Sequence, residues 1–353
     1  MLIKSNSELR KHLGGAVSTS LGVEGESEND RILNFVPLAE RKYVKKAIGK
    51  AVYDALLAEY VATAGVTEET QELFDCVQAA VAFYAYYEYL SFSPASDGDN
   101  GLEMDEKKAP KMWMVLERQN KAIELASDMI EEALKLLFEG NYADFKDSEE
   151  WSGVYGLLVN SGGVLRTALP PSGGSYRFFL TLWPYIAQIQ ERELGDIVGK
   201  ATAADLVKYR SGVLDYARTE STAVRLTGAS ADLNDEQKGV FLKVRAKAES
   251  LVAYAAYAEA LPQGLLVTVT SDGGLRVLTE FDGIRNRKAP KPDEMSQLLK
   301  SITDKRDRLR DELKAMMDEH RAIFPDYMAN MYRDGDRPGF LDADRYNTIF
   351  PLR

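Results

Sequence analysis

Val81-Ala82-Phe83-Tyr84-Ala85-Tyr86-Tyr87-Glu88-Tyr89-Leu90 reappears as Val252-Ala253-Tyr254-Ala255-Ala256-Tyr257-Ala258-Glu259-Ala260-Leu261, with no gap and with Val, Ala, Ala, Tyr, Glu and Leu identical. Three further matches follow in the same order. Leu2, Ser5, Leu9, Arg10 and Leu13 match Leu158, Ser161, Leu165, Arg166 and Leu169; Gly49-Lys50-Ala51 matches Gly199-Lys200-Ala201; and Lys108-Ala109-Pro110-Lys111 matches Lys288-Ala289-Pro290-Lys291. Collinear matches of this kind predict a tandem duplication. A chain of 353 residues is long for one hydrophobic core and comfortable for two. The expected domains are a first repeat over 1–156 and a second over 157–353.

Each repeat predicts a mainly α-helical bundle. Ser5-Asn6-Ser7-Glu8 is a capping box that opens a short helix ending at Gly14-Gly15. Val44, Ile48, Val52 and Ala55 follow one helical face, and Gly49 ends or kinks that helix. The central helix spans about 68–90, with Leu73, Val77, Ala80, Val81 and Tyr84 on one side. Its tyrosines at 84, 86, 87 and 89 give it aromatic surface with polar tips, suited to packing against several neighbours. Leu116, Gln119, Ile123, Ala126, Ile130, Ala133 and Leu137 recur at steps of three and four, as do Met295, Leu298, Ile302, Leu309, Leu313 and Met316. Each series predicts a helix of about 26 residues, near 40 Å long, laid antiparallel to the tyrosine helix.

Both repeats also carry an excursion from the bundle. Residues 265–281 place Ser271-Asp272-Gly273-Gly274 between two β-branched runs, a β-hairpin signature. Its counterpart, 93–110, is rich in Gly, Asp and Ser and is expected to be an exposed loop or a degenerate hairpin. Residues 139–156, with Tyr142, Phe145, Trp151 and Tyr155, link the repeats. The segment 324–353 carries Phe324, Tyr327, Tyr332, Phe340, Tyr346 and Phe350 among Pro, Gly and Asp, too broken for a long helix and too apolar for a free tail. It needs a host, either its own bundle or a neighbouring subunit.

Composition and motifs narrow the chemistry. A net charge of −11 argues against a general nucleic-acid binder. Arg41, Lys42, Lys45, Lys46 and Lys50, and Arg285, Arg287, Lys288 and Lys291, are local clusters that fit solvated faces, or contact with an acidic partner or DNA phosphates. No apolar run approaches a membrane span, and the start lacks a signal-peptide pattern, so the chain is expected to stay in a cytoplasm. The single cysteine, Cys76, rules out an intrachain disulfide and fits a core thiol. His12 and His320 have no metal-ligand spacing beside them. Gly49-Lys50 and Gly199-Lys200 fail the phosphate-loop pattern, being followed by alanine. Asp97-Gly98-Asp99-Asn100-Gly101 and Asp334-Gly335-Asp336 lack the turn glycine and the bidentate carboxylate of a calcium loop, respectively, and are expected to be turns. No cofactor, metal or catalytic residue is predicted. Glu88 and Glu259, carboxylates on aromatic helices in both repeats, are the acid–base candidates left by elimination.

Tyr43-Val44-x-x-x-Ile48-Gly49-x-x-x-Tyr53-x-x-Leu56, the tyrosine helix, Lys108-Ala109-Pro110-Lys111-x-Trp113 and Ser175-Tyr176-Arg177-Phe178-Phe179-Leu180-x-Leu182-Trp183-Pro184-x-Ile186 resemble an uncharacterised domain family of phages and prophages of Bacteroidetes. The second repeat departs from the first at Ala203, where the first has Tyr53, and at Pro292–Glu294, where the first has Met112-Trp113. The resemblance implies a virion structural protein of the head-to-tail connector or adaptor kind. Such a protein is made in the host cytoplasm and works as a homo-oligomeric ring that contacts portal or tail components, with DNA passing nearby and no membrane. It implies Trp113, the hairpin tip at Asp272 and Gly273, and the aromatic arm with Phe324, Tyr327, Tyr332, Phe340, Tyr346 and Phe350 as subunit contacts. The alternatives are a helical glycan- or protein-binding module, and an enzyme using Glu88 or Glu259.

Overall fold

A computed structural model gives the architecture and describes residues 1–14, 28–62, 65–92, 96–98, 101–103, 112–140, 142–210, 213–214, 235–263, 267–269, 275–277, 292–324 and 327. The chain is mainly α-helical. It divides into two compact units. Unit 1 comprises Met1–Gly153, Ser175–Phe178 and Leu266–Ala289, and unit 2 comprises Val154–Gly174, Phe179–Leu265 and Pro290–Arg353.

Unit 1 begins with α1 (Asn6–Leu13), whose Ser5 cap and Glu8 form the capping box that the sequence predicts. Next come α2 (Glu28–Leu33), α3 (Val36–Ala39), a π-helical segment (Glu40–Val44), α4 (Lys45–Ile48) and α5 (Lys50–Val61). Gly49 separates α4 from α5 at φ 81°, a left-handed conformation that a side chain would strain. The central helix α6 (Glu68–Phe92) is followed by strands β1 (Ser96–Gly98) and β2 (Gly101–Glu103), paired antiparallel with Gly98 opposite Gly101. Helix α7 (Met112–Glu139) then runs back along α6. Gln119 Nε2 donates to Ser91 Oγ at 3.0 Å near one end of the pair, while the Glu132 carboxylate lies near Cys76 towards the other, so the two helices are antiparallel. Short helices α8 (Ala143–Lys146) and α9 (Glu149–Tyr155) follow, and Phe145 and Trp151 pack on Phe138 of α7 with ring centroids 5.0 and 5.7 Å away.

Unit 2 repeats this order. It holds α10 (Gly162–Ala168), α11 (Tyr176–Ile189) from Phe179 onward, a second π-segment (Gln190–Leu194), α12 (Gly195–Val198) and α13 (Lys200–Lys208). Gly199, at φ 90°, stands where Gly49 stands in unit 1. The short pair β3 (Tyr209–Arg210) and β4 (Val213–Leu214) leads towards the long helix α14 (Asp235–Ala260). Helix α15 (Pro292–Glu319) packs on α14, while strands β5 (Val267–Val269) and β6 (Leu275–Val277), between those helices in sequence, form the expected hairpin with Val269 opposite Leu275 and fall within unit 1. The core of unit 2 includes Phe241, Val244, Ala248, Leu251, Leu309 and Leu313, all buried.

Candidate functional site

The π-segments position the polar groups of each unit. In unit 1 the π-turn rotates Glu40 inwards, although it opens the charged run Glu40-Arg41-Lys42. The Leu2 backbone N–H donates to Glu40 Oε1 at 2.6 Å, the Tyr53 phenol also donates to Glu40, and Gln78 Nε2 donates to the Leu2 carbonyl at 2.7 Å. Glu40, Leu2, Tyr53 and Gln78 are all buried. His12 completes the cluster through Gln78 Oε1 at 2.9 Å. Unit 2 builds the same latch from different atoms. The Leu158 N–H donates to Gln190 Oε1 at 2.6 Å, and Gln190 Nε2 donates to the Gly156 carbonyl at 3.1 Å.

Glu88 lies one layer away. Lys42 Nζ donates to its Oε1 at 2.6 Å, and the Tyr43 hydroxyl donates to the same oxygen. The Tyr43 ring stacks on that of Tyr84, with centroids 4.2 Å apart and planes 6° apart. Burial first, then the Glu88 hydrogen bond and charge, push the Tyr43 phenol far above its ordinary range. The Tyr84 hydroxyl accepts from Arg177 Nη2 at 2.7 Å, and Arg177 Nη1 reaches Ser127 Oγ at 3.2 Å. The segment carrying Arg177 is held by Glu131 of α7, which accepts from Ser175 Oγ and the Tyr176 N–H, each at 2.7 Å, while the Tyr176 hydroxyl donates to Glu139 at 2.8 Å. A carboxylate at the first turn of α11 meets both its free amides and its positive dipole end. The chain Glu88–Tyr43–Tyr84–Arg177 is therefore a polar tie through the interior of unit 1.

The unit 2 equivalent keeps only the cation–carboxylate tie. Arg192 Nη2 donates to Glu259 at 2.7 Å, as Lys42 does to Glu88, but Glu193 and Ala255 replace Tyr43 and Tyr84. Glu193 pairs instead with Arg192 at 3.2 Å and Arg310 at 3.1 Å. Cys76 is half-buried, and burial together with Glu132, Glu72 and Asp75 raises its thiol above the usual range, away from the nucleophilic thiolate. Among the described residues no cluster of three or more His, Cys, Asp or Glu side chains is arranged to hold a metal ion, and no helix is long and apolar enough to cross a membrane.

The residues expected to grip neighbours fall into three groups. Trp113 is 59% exposed at the start of α7, beside Met114 at 41%; Phe92, at the end of α6, is 64% exposed and stacks on Phe35 at 5.5 Å. Because α6 and α7 are antiparallel, all four residues belong to the same end of unit 1. Phe324 and Tyr327, expected to be subunit contacts, are instead buried in unit 2. Phe324 stacks on Phe241 at 5.7 Å, and the Tyr327 hydroxyl donates to Asp318 at 3.0 Å. These two side chains pack in their own unit and offer no free surface. Asp272, Gly273, Tyr332, Phe340, Tyr346 and Phe350 lie outside the described residues.

Sequence reasoning missed Glu40, Gln190, Arg177 and Glu131. The available signal was spacing. Ala39 or Glu40, Val44, Ile48 and Val52 advance by four or five, drifting about 40° per four-residue step in an α-helix, and a π-turn of roughly 4.4 residues absorbs that drift. A model of a family of unknown function, DUF6712, matches residues 44–152 and 223–337, one region in each half, which is consistent with tandem duplication. No curated protein and no solved structure matches the chain.

Proposed function

We propose, for a chain that belongs to the family of unknown function DUF6712, a structural role in a phage or prophage virion, as a head-tail connector or adaptor subunit. It acts through protein contacts in a ring, against portal or tail components. The observation that carries this reading is the division of labour in unit 1. Its buried polar groups tie elements together, while three of its exposed large apolar side chains, Phe92, Trp113 and Met114, belong to one end of the α6/α7 pair. Clustered exposed aromatics of this kind mark contact surfaces. The hairpins β1–β2 and β5–β6 are excursions from the helical bundle of a kind suited to gripping neighbours.

Mass spectrometry of particles purified from an induced culture of the source strain tests the reading, with the major capsid protein as the control for recovery. The expected result is about a dozen copies of this chain per particle, the order of one closed ring. Abundant capsid protein without this chain refutes it.

A further inference from the structure

The duplication supplies an internal comparison of two surfaces. The π-segments and the turns after them superpose in sequence without a gap, from Ala39 and Ile189 to Leu56 and Leu206. The inward positions agree in character, since Val44 and Leu194, Ile48 and Val198, and Leu56 and Leu206 are all buried and aliphatic. The outward positions agree only in part, since Lys42 and Arg192, and Lys50 and Lys200, keep their positive charge while others do not. Arg41 corresponds to Glu191 and Lys46 to Asp196, an inversion of charge at two exposed sites.

The scaffold does not dictate these charges, because the same backbone carries either sign. Lys42 is engaged by Glu88, and Lys45 lies over the Tyr53 ring at 4.0 Å, so both have work inside unit 1. Arg41, Lys46, Glu191 and Asp196 have no ion-pair partner among the described residues. A solvated face ordinarily mixes signs, yet this face of unit 1 is wholly cationic from Arg41 to Lys50 in a chain of net charge −11.

We propose that the cationic face of unit 1, at Arg41 and Lys46, docks on the equivalent face of unit 2, at Glu191 and Asp196, in a second copy of this chain. Surfaces built on the same backbone share their shape, and opposite charges give the contact a direction. The contact is head-to-tail. Each copy keeps the cationic pair on one unit and the anionic pair on the other, so the association propagates from copy to copy and closes if the rotation allows. This rests on the ring reading above and names the subunit contact within it.

Sedimentation velocity of the purified full chain tests the proposal. The wild type should self-associate with concentration, and less so in ~0.5 M salt, where the Debye length shrinks to a few ångströms. Arg41→Glu with Lys46→Glu, and separately Glu191→Arg with Asp196→Lys, should each weaken association roughly tenfold or more, since like charges then face each other. An equimolar mixture of the two variants should recover it, because every contact is again between opposite signs. All four sites are exposed, and unchanged circular dichroism shows that the variants are folded. A wild type that stays monomeric, variants that associate like the wild type, or a mixture that fails to recover overturns the proposal. So does binding of a short DNA duplex that is lost with the Arg41 and Lys46 changes while self-association persists, which would assign the face to a phosphate backbone. Particle mass spectrometry judges the virion role independently, so a chain present in particles whose association ignores these substitutions retains that role and loses this interface.

Discussion

Replacing Glu40 with alanine removes the acceptor for two buried donors, the Leu2 N–H at 2.6 Å and the Tyr53 hydroxyl. Each stranded donor costs about 1–3 kcal/mol, and a water entering the vacated space recovers part of that, leaving a loss of about 2–4 kcal/mol. For a unit of this size the melting temperature should fall by roughly 5–15 °C. Glu40→Gln behaves differently. Its Oε1 still accepts from Leu2, and its amide can donate to the Tyr53 oxygen, so the cost should stay below about 1 kcal/mol. Unit 2 already uses this solution, with Gln190 accepting from Leu158 at 2.6 Å and Ala203 in place of the tyrosine. Urea unfolding in a Trp183→Phe background isolates the signal, because the remaining tryptophans, Trp113 and Trp151, both lie in unit 1. If Glu40→Ala costs less than about 1 kcal/mol, the latch contributes nothing measurable. If Glu40→Gln is as damaging as Glu40→Ala, charge rather than acceptor geometry holds Leu2, and the equivalence of the two units at this position is wrong.

Tyr60 links unit 1 to pH at both extremes. Burial would raise Glu8, but hydrogen bonds from Tyr60, the Lys4 and Ser5 amides and the Ser5 hydroxyl outweigh it and hold Glu8 below its ordinary 4.5; burial and that same bond push Tyr60 up to about 12. A depressed carboxyl contributes stability that is present above pH 4.5 and lost as the pH falls below it; a raised phenol contributes stability that is present below pH 10 and lost as the pH climbs towards 12. Tyr60→Phe should therefore flatten both limbs of a plot of urea midpoint against pH, and an unchanged acid limb would refute the pairing. Phe324→Ala should destabilise unit 2 by about 3–5 kcal/mol, the cost of emptying a fully buried ring site, whereas a ring free to dock on a neighbour would cost almost nothing in the monomer. Glu88→Ala should cost about 1–3 kcal/mol because it strands the buried Tyr43 hydroxyl. Glu259→Ala, whose partner Arg192 is largely exposed, should cost under about 1 kcal/mol, and equal urea midpoints for the two variants would argue against the structural tie.

The features legible in the sequence were those written in side-chain polarity and spacing. The long helices α6, α7 and α15 follow from apolar residues recurring at three and four, Gly49 from its place between two helical runs, and β5–β6 from β-branched residues around Asp272-Gly273. The polar interior was not legible, because it depends on backbone register and distant pairing. Glu40 looks solvated beside Arg41 and Lys42, and only the π-turn brings it inwards. Glu131 looks like one more charge on a helix with a solvated face, and its partners Ser175 and Tyr176 are more than forty residues away. Phe324 followed a helix end in an aromatic, proline- and glycine-broken segment, where spacing cannot distinguish an anchor from an arm.

Glu88 and Glu259 attracted attention as acid–base candidates because both repeats keep them, yet their surroundings differ. A carboxyl tuned for proton transfer needs a particular environment, which a duplicated active site would have to preserve. Unit 1 surrounds its glutamate with the stacked Tyr43 and Tyr84 and, beyond them, Arg177; unit 2 has Glu193 and Ala255 at the tyrosine positions and draws Glu193 to Arg310. What both units retain is the cation of the π-segment, Lys42 or Arg192, joined to the long helix through that carboxylate. The neighbours have been exchanged wholesale while the join persisted. That pattern is the one expected of a fastening, and the two halves differ in sign on a shared backbone at the outward positions Arg41, Lys46, Glu191 and Asp196.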